Sequence, residues 1–512
     1  MDKAIKKIES IEELSAFCKK KGFIFRAGEI YGGLSGFFDF GPLGCELKNN
    51  IKNLYINRFV HKREDMTMQD GSIITNPKVW KASGHVDNFA DLLLTTKQTK
   101  TKIRADHFIE DVLNINADGL KAKDIQELIS KHNLKYKGED FEDVKDFNLM
   151  FSTQIGASSE KGATGYLRPE TCQSIFPNFK LLADVSRSKL PFGIVQIGKA
   201  FRNEISPRDF IFRCREFEQI EMEYFYNPKS EFDMLKPEDL NVKFNFLSAQ
   251  TQDKGLKEME TITINDLISS GKVNKIHGYW LSKFIDFFMN DMGFAFDDIR
   301  VREHVKTELS HYSSATVDID YKYPFGFKEM MGIANRADYD LSQHQLHSSV
   351  KLEFFDETTQ TKLIPNCIEP SIGVERLFLA TICNSYNNDE KRGNIVLNLP
   401  EILAPYKVAV FPLMNKPELI ELSRSIFKEI LQEDIFAIYD KSGSIGRRYA
   451  RADEMGVPYC LTIDYSAIED GAKKGFVTIR DIKSTEQKLI KIQDIADIIR
   501  LLIRGKIKFN EL

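Results

Sequence analysis

The residues best suited to chemistry crowd into Phe201–Phe225, FRNEISPRDFIFRCREFEQIEMEYF. Arg202, Arg208, Arg213 and Arg215 are followed by Phe217 and then by Glu218, Glu221 and Glu223. Two runs with period-2 alternation flank a turn at Ser206-Pro207, which predicts a β-hairpin. The alternation places Arg202 and Glu204 on one face of the first strand. On the second strand it groups Arg213, Arg215, Phe217, Glu221 and Glu223, with Ile220, Met222 and Tyr224 opposite. Most charged strands are solvated faces, but the density here argues otherwise. Arginine forks suit phosphate, an aromatic face suits a purine, and carboxylates suit an ammonium group.

Three further segments carry reactive side chains. In Leu363–Ile382, LIPNCIEPSIGVERLFLATI, a strand runs into a helix near Pro370–Gly373. Cys367, Glu369 and Ser371 share a face, and Arg376 falls in the first turns of the helix. A capping Ser and a surface Arg would explain two of these residues singly, but not Glu369, Ser371 and Arg376 at one junction. GYLRPETCQSIF, Gly165–Phe176, contributes Glu170, and GFKEMMGIANRADYDL, Gly326–Leu341, contributes Glu329, Met330 and Arg336. Arg104 stands in KIRADHF.

These segments resemble the class II aminoacyl-tRNA synthetases over most of the chain. FRNEISPR followed by REF is similar to motif 2 in its glycyl form, and Leu363–Ile382 is similar to motif 3. Residues 31–80 resemble motif 1, which builds a dimer interface in that family. GYLRPETCQSIF is similar to an RPETAQG signature, departing from it at Cys172 and Ser174. The resemblance implies that Arg202 clamps the α-phosphate of ATP and that Arg213, with Mg2+, holds the departing pyrophosphate. It implies that Glu204 positions the adenine amine and that Arg376 packs on the purine or terminal phosphates opposite Phe217. Asn203, Phe212, Glu329, Met330 and Gly373 complete the ATP site. It implies a glycine pocket of Glu170, Glu221, Glu369 and Ser371, with Phe217 and Gly373 beside it and Arg104 near the glycine carboxylate. Arg202 and Arg376 are the implied catalytic residues. Three carboxylates in one small site should titrate upward when it is empty, and a substrate ammonium relieves them. Exclusion of larger amino acids is steric, since a forced methyl costs roughly 1–3 kcal/mol in a packed site. No editing domain is therefore required.

The elements that must position these groups read as follows. Residues 1–21 predict a helix, 22–42 a Gly- and Phe-rich loop and hairpin, and 45–59 a helix. A strand is expected over Gly71–Thr75. Lys/Asp/Glu-rich stretches at about 110–164 and 227–300 look like insertions into a catalytic domain spanning 1–400. Prolines around 400–405 mark a boundary. Beyond it strand and helix alternate through 405–512, as in a small α/β domain. That domain resembles an anticodon-binding domain, in which Arg447, Arg448 and Arg451 would face tRNA. The fold class expected is α+β, an antiparallel class II core with helices and insertions plus this α/β domain.

Composition bounds the rest. With 71 Lys+Arg against 75 Asp+Glu, the net charge of −4 argues against indiscriminate nucleic-acid binding while permitting a local basic patch. Seven scattered cysteines form no CxxC pair, so no protein zinc site is assigned and a reducing, cytoplasmic setting is expected. No apolar run suits a membrane span. P-loop and class I signatures are missing. The expected function is ATP-dependent ligation of glycine to tRNA(Gly) by a homodimer. The competing readings are a prolyl or threonyl synthetase, which RPET and EPSIG disfavour, and a non-catalytic synthetase-like subunit, which would lose the motif arginines and acids kept here.

Overall fold

In the computed structural model, which describes residues 7–115, 117, 119–156, 163–306, 308 and 313–512, the alternating segments assemble into a nine-stranded sheet. Its strands are β1 (Met66–Gln69), β2 (Phe192–Phe201), β3 (Glu216–Tyr226), β4 (Lys243–Leu247), β5 (Glu260–Thr263), β6 (Ile299–Glu303), β7 (Ala315–Tyr323), β8 (Gly326–Ala337) and β9 (Asn366–Gly373). Their order is β5-β4-β6-β7-β8-β9-β3-β2-β1. Pairing is antiparallel except for β1 with β2 and β4 with β6.

The register brings distant residues into rows. One row runs Gln196, Glu221, Ser371, Gly332, Asp318 and Arg302 across β2, β3, β9, β8, β7 and β6. The row beside it pairs Glu369 with Ala334 and Ala334 with Thr316. Side chains alternate across a strand, so these rows fix which groups share a face. Ile220, Met222 and Tyr224 point to the opposite face, into a core shared with the helices Pro42–Ile56, Lys275–Asp286 and Val374–Ser385.

Between β2 and β3 the chain differs from a tight hairpin. Arg202, Glu204, Arg213 and Arg215 lie not on strands but in the connecting segment 202–215. Pro207 has no N–H to give a ladder, and Asp209 and Phe210 adopt left-handed φ of 58° and 56°, which ends pairing. The segment is held by Arg215. Its backbone N–H donates to Gly36 O at 2.8 Å, Nη1 to Ser35 O at 2.9 Å, and Nε and Nη2 to Glu204 O at 3.0 and 2.9 Å. Gly36 has φ +79°, and a Cβ there would lie 2.7 Å from Pro207 Cγ, so only glycine admits this close approach.

Other elements refine the expectations. The first helix is Ile11–Lys21, capped by Ser10, and residues 1–6 lie outside the described ones. Ile24–Arg26 pairs with Phe38–Phe40 as a ribbon. The strand expected at Gly71–Thr75 shrinks to Ile74–Thr75, and the sheet strand is Met66–Gln69 because Met66 and Met68 pack on the core. The stretch 110–164 shares a small sheet with residues before it, since Ala90–Thr95 pairs with Lys102–Arg104 and Lys145–Asn148 over a small core of Leu94, Phe108, Ile109, Ile125 and Ile129. The stretch 227–300 supplies β4, β5 and Lys275–Asp286, so it builds the main sheet and core rather than standing beside them. Phe284 of that helix stacks on Phe59 at 4.5 Å between centroids.

The C-terminal region forms a five-stranded sheet, in order Ala437–Tyr439, Val408–Pro412, Tyr459–Ile463, Phe476–Asp481 and Gln487–Lys491. The first three run parallel, with helices Pro417–Gln432, Ile445–Met455 and Ile495–Ile503. Ser444 and left-handed Gly456 bound the second helix, as expected from a stop signal. The fold is α+β.

Candidate active site

One cavity opens over β3, β9, β8 and β7 and is lined at one end by Glu170, Glu221, Glu369 and Ser371. Glu221 is held firmly. Its Oε2 accepts from Thr171 N at 2.6 Å, Thr171 Oγ1 at 2.5 Å and Cys172 N at 2.6 Å, and its Oε1 accepts from Ser371 Oγ at 3.1 Å. Glu170 lies 3.2 Å from His85 Nε2 and accepts from the Cys172 thiol at 3.0 Å. Glu369 accepts from Arg336 Nη1 at 2.7 Å. Arg336 is fully buried and grips Asp340 with two further bonds, at 2.6 and 2.8 Å.

The three carboxylates do not titrate alike, contrary to the expectation that all would shift upward. Burial, less fully offset by Arg336 and reinforced by Glu221 and Glu170, pushes Glu369 up to about 8. Glu221 is also raised, by burial and by Glu170, against the pull of the Thr171 donors. Glu170 moves the other way: burial would raise it, but His85 and Arg336 outweigh that and hold it well below the usual carboxylate range. A fourth carboxylate, Glu223, sits beneath them with no exposure, accepts from the Cys367 thiol at 2.9 Å, and is driven upward by burial and Glu369.

The other end of the cavity carries the cations and rings. Arg202 donates from Nε to Pro169 O at 3.0 Å, with its guanidinium 5.4 Å from the Phe217 ring centroid and 5.5 Å from that of Phe89. Arg376 stacks over Phe212 at 4.5 Å, and Phe217 lines the same cavity. It pairs with Glu329 at 2.9 Å. Desolvation opposes ionisation of Glu329, but Arg376 prevails and holds it at about 2. Arg213 stands 4.0 Å from Glu204 and 3.4 Å from His107. Gly373 lines the same wall.

Several expected site residues lie elsewhere. Arg104 is spent on Asp106, with three bonds of 2.7–2.9 Å, and on Asp91 at 3.2 Å, in the small sheet beside Arg213 and Glu204 and away from the carboxylate end. Met330 points into the apolar core, because the pairing of β8 with β7 slips there, from Met331 opposite Ile319 to Glu329 opposite Asp320, and breaks the alternation that would set it beside cavity-lining Gly332 and Ala334. Asn203 is off the lining, and its N–H donates to Leu149 O at 2.7 Å. In the C-terminal helix Arg448 is buried and donates to Pro412 O and to Gly443 O, so it braces the domain from within. Arg451 binds Asp440 and Ser442 O. Arg447 is exposed.

Sequence reasoning missed His85, Thr171, Asp340, His304 and Asp318. Thr171 sits in a loop with no periodic signal, and His85 opens the helix His85–Asn88, which is too short to show one. Arg336 and Asp340 are four residues apart at a strand-to-helix junction, a spacing that suggests an ion pair once the helix is known.

Comparison with known proteins gives a consistent result. Residues 151–386 match the tRNA synthetase class II core domain (G, H, P, S and T), and residues 407–502 match the anticodon binding domain. A Glycine--tRNA ligase of Caldanaerobacter subterraneus subsp. tengcongensis is 41% identical over 496 residues, covering 95% of this chain and 97% of that protein. Those of Borrelia garinii subsp. bavariensis and Malacoplasma penetrans are 39% and 41% identical over 507 and 500 residues, covering 98% and 96% of this chain and 99% and 97% of theirs.

Proposed function

The chain belongs to the glycine–tRNA ligase family, and from that premise we propose how its residues divide the work of joining glycine to tRNA(Gly). ATP and glycine first form glycyl-adenylate and pyrophosphate; the glycyl group then passes to the terminal ribose of tRNA. The observation that supports the site is the single cavity with buried carboxylates at one end and Arg202, Phe217, Arg213 and Arg376 at the other. ATP–pyrophosphate exchange tested with all amino acids should respond to glycine alone. Exchange driven by proline or threonine would sink the reading.

Glu221 and Glu369 take the glycine ammonium, with Ser371 orienting Glu221 and Glu170 flanking them. Arg202 holds the α-phosphate as the glycine carboxylate attacks it in line. Arg213 draws the pyrophosphate away, Glu204 receives the adenine amine, and Phe217, Phe212 and Arg376 bracket the base. The protein supplies position and charge rather than a covalent intermediate. Magnesium fits here through Glu329, a hard carboxylate oxygen half-exposed at the cavity and kept ionised by Arg376. Bound with ATP, it would neutralise charge on the polyphosphate.

The raised Glu369 makes glycine binding depend on pH. In the empty pocket its proton persists to about 8, and an incoming ammonium must displace it. The glycine KM should therefore fall as pH rises from about 6.5 to about 8.5, by at most about tenfold per unit for one proton. The Glu369→Gln variant should bind glycine poorly at every pH, without that slope. A flat profile in the unmodified protein contradicts the role of Glu369.

The tRNA contacts of the C-terminal domain rest on Arg447 alone among the three arginines. Arg447→Glu should weaken tRNA binding by roughly threefold to tenfold at low salt while leaving exchange unchanged, since one phosphate contact contributes about one unit of salt slope. Unchanged affinity in a filter-binding titration removes Arg447 from the interface. We further propose a homodimer through residues 31–80. Strand β1 is an edge of the sheet, and Ile73 and Ile74 beside it are exposed. Sedimentation equilibrium tests this. Seven unpaired thiols suit a reducing compartment such as the cytoplasm, and no helix among the described residues is long and apolar enough to cross a membrane.

A further inference from the structure

We propose that His107 is a positioning residue for the first step: its uncharged imidazole holds the Arg213 guanidinium toward the departing pyrophosphate without cancelling its charge. The assignment rests on the role given to Arg213 above and adds the group that aims it. Arg213 Nη1 donates to His107 Nε2 at 3.4 Å, the one side-chain hydrogen bond Arg213 makes among the described residues. A guanidinium only donates, so Nε2 is the bare nitrogen and the ring proton sits on Nδ1. No carboxylate among those residues comes nearer to Arg213 than Glu204, at 4.0 Å. A carboxylate in hydrogen-bond contact would grip Arg213 more tightly, but it would offset the charge that a polyphosphate must meet. An uncharged acceptor orients Nη1 and leaves the cation whole.

The small sheet of Ala90–Thr95, Lys102–Arg104 and Lys145–Asn148 supplies this histidine. Arg104 ends one of its strands and donates three bonds to Asp106, and Asp106 Oδ1 accepts from the His107 N–H at 2.8 Å. The helix Ala105–Leu113 therefore starts from a fixed point, with His107 in its first turn. Phe108 and Ile109 turn into the small core, while His107 stays outside it and meets Arg213. The same sheet is docked on the segment 202–215. Leu149 N–H donates to Phe89 O at 3.1 Å, and Leu149 O accepts from Asn203 N–H at 2.7 Å. Phe89 in turn stands 5.5 Å from the Arg202 guanidinium. Both arginines assigned to phosphate thus rest on side chains of this one lobe.

The surroundings keep the imidazole uncharged. Burial lowers it, and Arg104, Arg213 and Arg208 push the same way against Asp106, bringing it down to about 3. The positive end of the helix acts in the same direction. An imidazolium would repel Arg213 at this distance and would have no lone pair to offer, so the contact requires the neutral ring. Arg213 is itself lowered by burial, with Glu204 resisting and Arg104, Arg376 and Arg208 assisting. The empty site therefore crowds cations, and an incoming polyphosphate relieves them. A guanidinium already aimed at it loses little freedom on contact.

The test uses the full chain and ATP–pyrophosphate exchange, with KM measured separately for pyrophosphate and for glycine. His107→Ala should raise the pyrophosphate KM about tenfold and leave the glycine KM within about twofold. His107→Phe, which keeps a ring but no acceptor, should behave as His107→Ala does. His107→Gln, whose carbonyl oxygen accepts, should stay within about threefold of the unmodified protein. Arg213→Ala should raise the pyrophosphate KM by more, and adding His107→Ala to it should change that value by less than about twofold, since the histidine acts through the arginine. An unchanged pyrophosphate KM in His107→Ala, equal losses for glycine and pyrophosphate, or independent losses in the double variant overturns the positioning role and leaves that of Arg213 in place. An unchanged pyrophosphate KM in Arg213→Ala overturns the reading of Arg213, and this assignment with it.

Discussion

Arg202→Ala should reduce kcat/KM for glycine-dependent ATP–pyrophosphate exchange by about a thousandfold, close to 4 kcal/mol of transition-state stabilisation. The size follows from preorganisation. Nε is tied to Pro169 O at 3.0 Å, and the rings of Phe89 and Phe217 stand 5.5 and 5.4 Å from the guanidinium. The two terminal nitrogens make no hydrogen bond to the described residues, so they remain for a phosphate. Such a fork is in place before charge develops, and water replacing it would have to reorganise. Arg202→Lys keeps the charge but loses the planar pair of donors, and should recover only part of the loss. Near-normal exchange in Arg202→Ala would remove Arg202 from the reaction.

The second large effect concerns stability and binding together. Arg336→Met should destabilise the protein by about 3–5 kcal/mol, because it leaves Asp340 and Glu369 buried without their cation. Arg336 is 1% exposed and bonds Asp340 twice and Glu369 once. Its loss would also release Glu170 from one of the two charges that depress it and would let Glu369 rise further. The fraction of variant that folds should therefore bind glycine more weakly at neutral pH, with a binding profile displaced to higher pH. Urea unfolding reads the first effect and glycine KM against pH reads the second. An unchanged midpoint would show that the ion pairs are dispensable. Glu369→Gln should suppress part of the destabilisation, since it removes one of the stranded charges.

Local signals carried much of the architecture. Pro417–Gln432 and the helix between Ser444 and Gly456 were legible because caps and proline act within a turn of the chain. The β3 face was legible because alternation needs no knowledge of neighbours. Glu170, Glu221 and Glu369 were recognisable through family resemblance, and the sheet register now places Glu221 and Glu369 on adjoining strands. What stayed hidden depended on partners far along the chain. The downward shift of Glu170 comes from His85 and Arg336, which lie 85 positions before it and 166 after it in sequence. Arg448 was misread because three nearby arginines look like a stripe, although its spacing of four from buried Ala452 already put it on the packed side of the helix. The connecting segment 202–215 was read as strand because alternation persisted through it, while the left-handed residues that break it have no distinctive composition.

The Arg215 contacts bear on which positions can drift. Every acceptor Arg215 uses is a main-chain carbonyl, of Ser35 and Glu204, and its own N–H also addresses a carbonyl, that of Gly36. The clasp is therefore indifferent to side-chain identity at 35 and 204. Substitutions at Ser35 should be silent for loop placement, and the Glu204 side chain is left to Arg213, 4.0 Å away, and to the cavity they both line. Arg215 and Gly36 have no such latitude. A lineage could thus retune the loop's chemistry without loosening its anchorage, because the holding and the recognising are written in different atoms of the same residues.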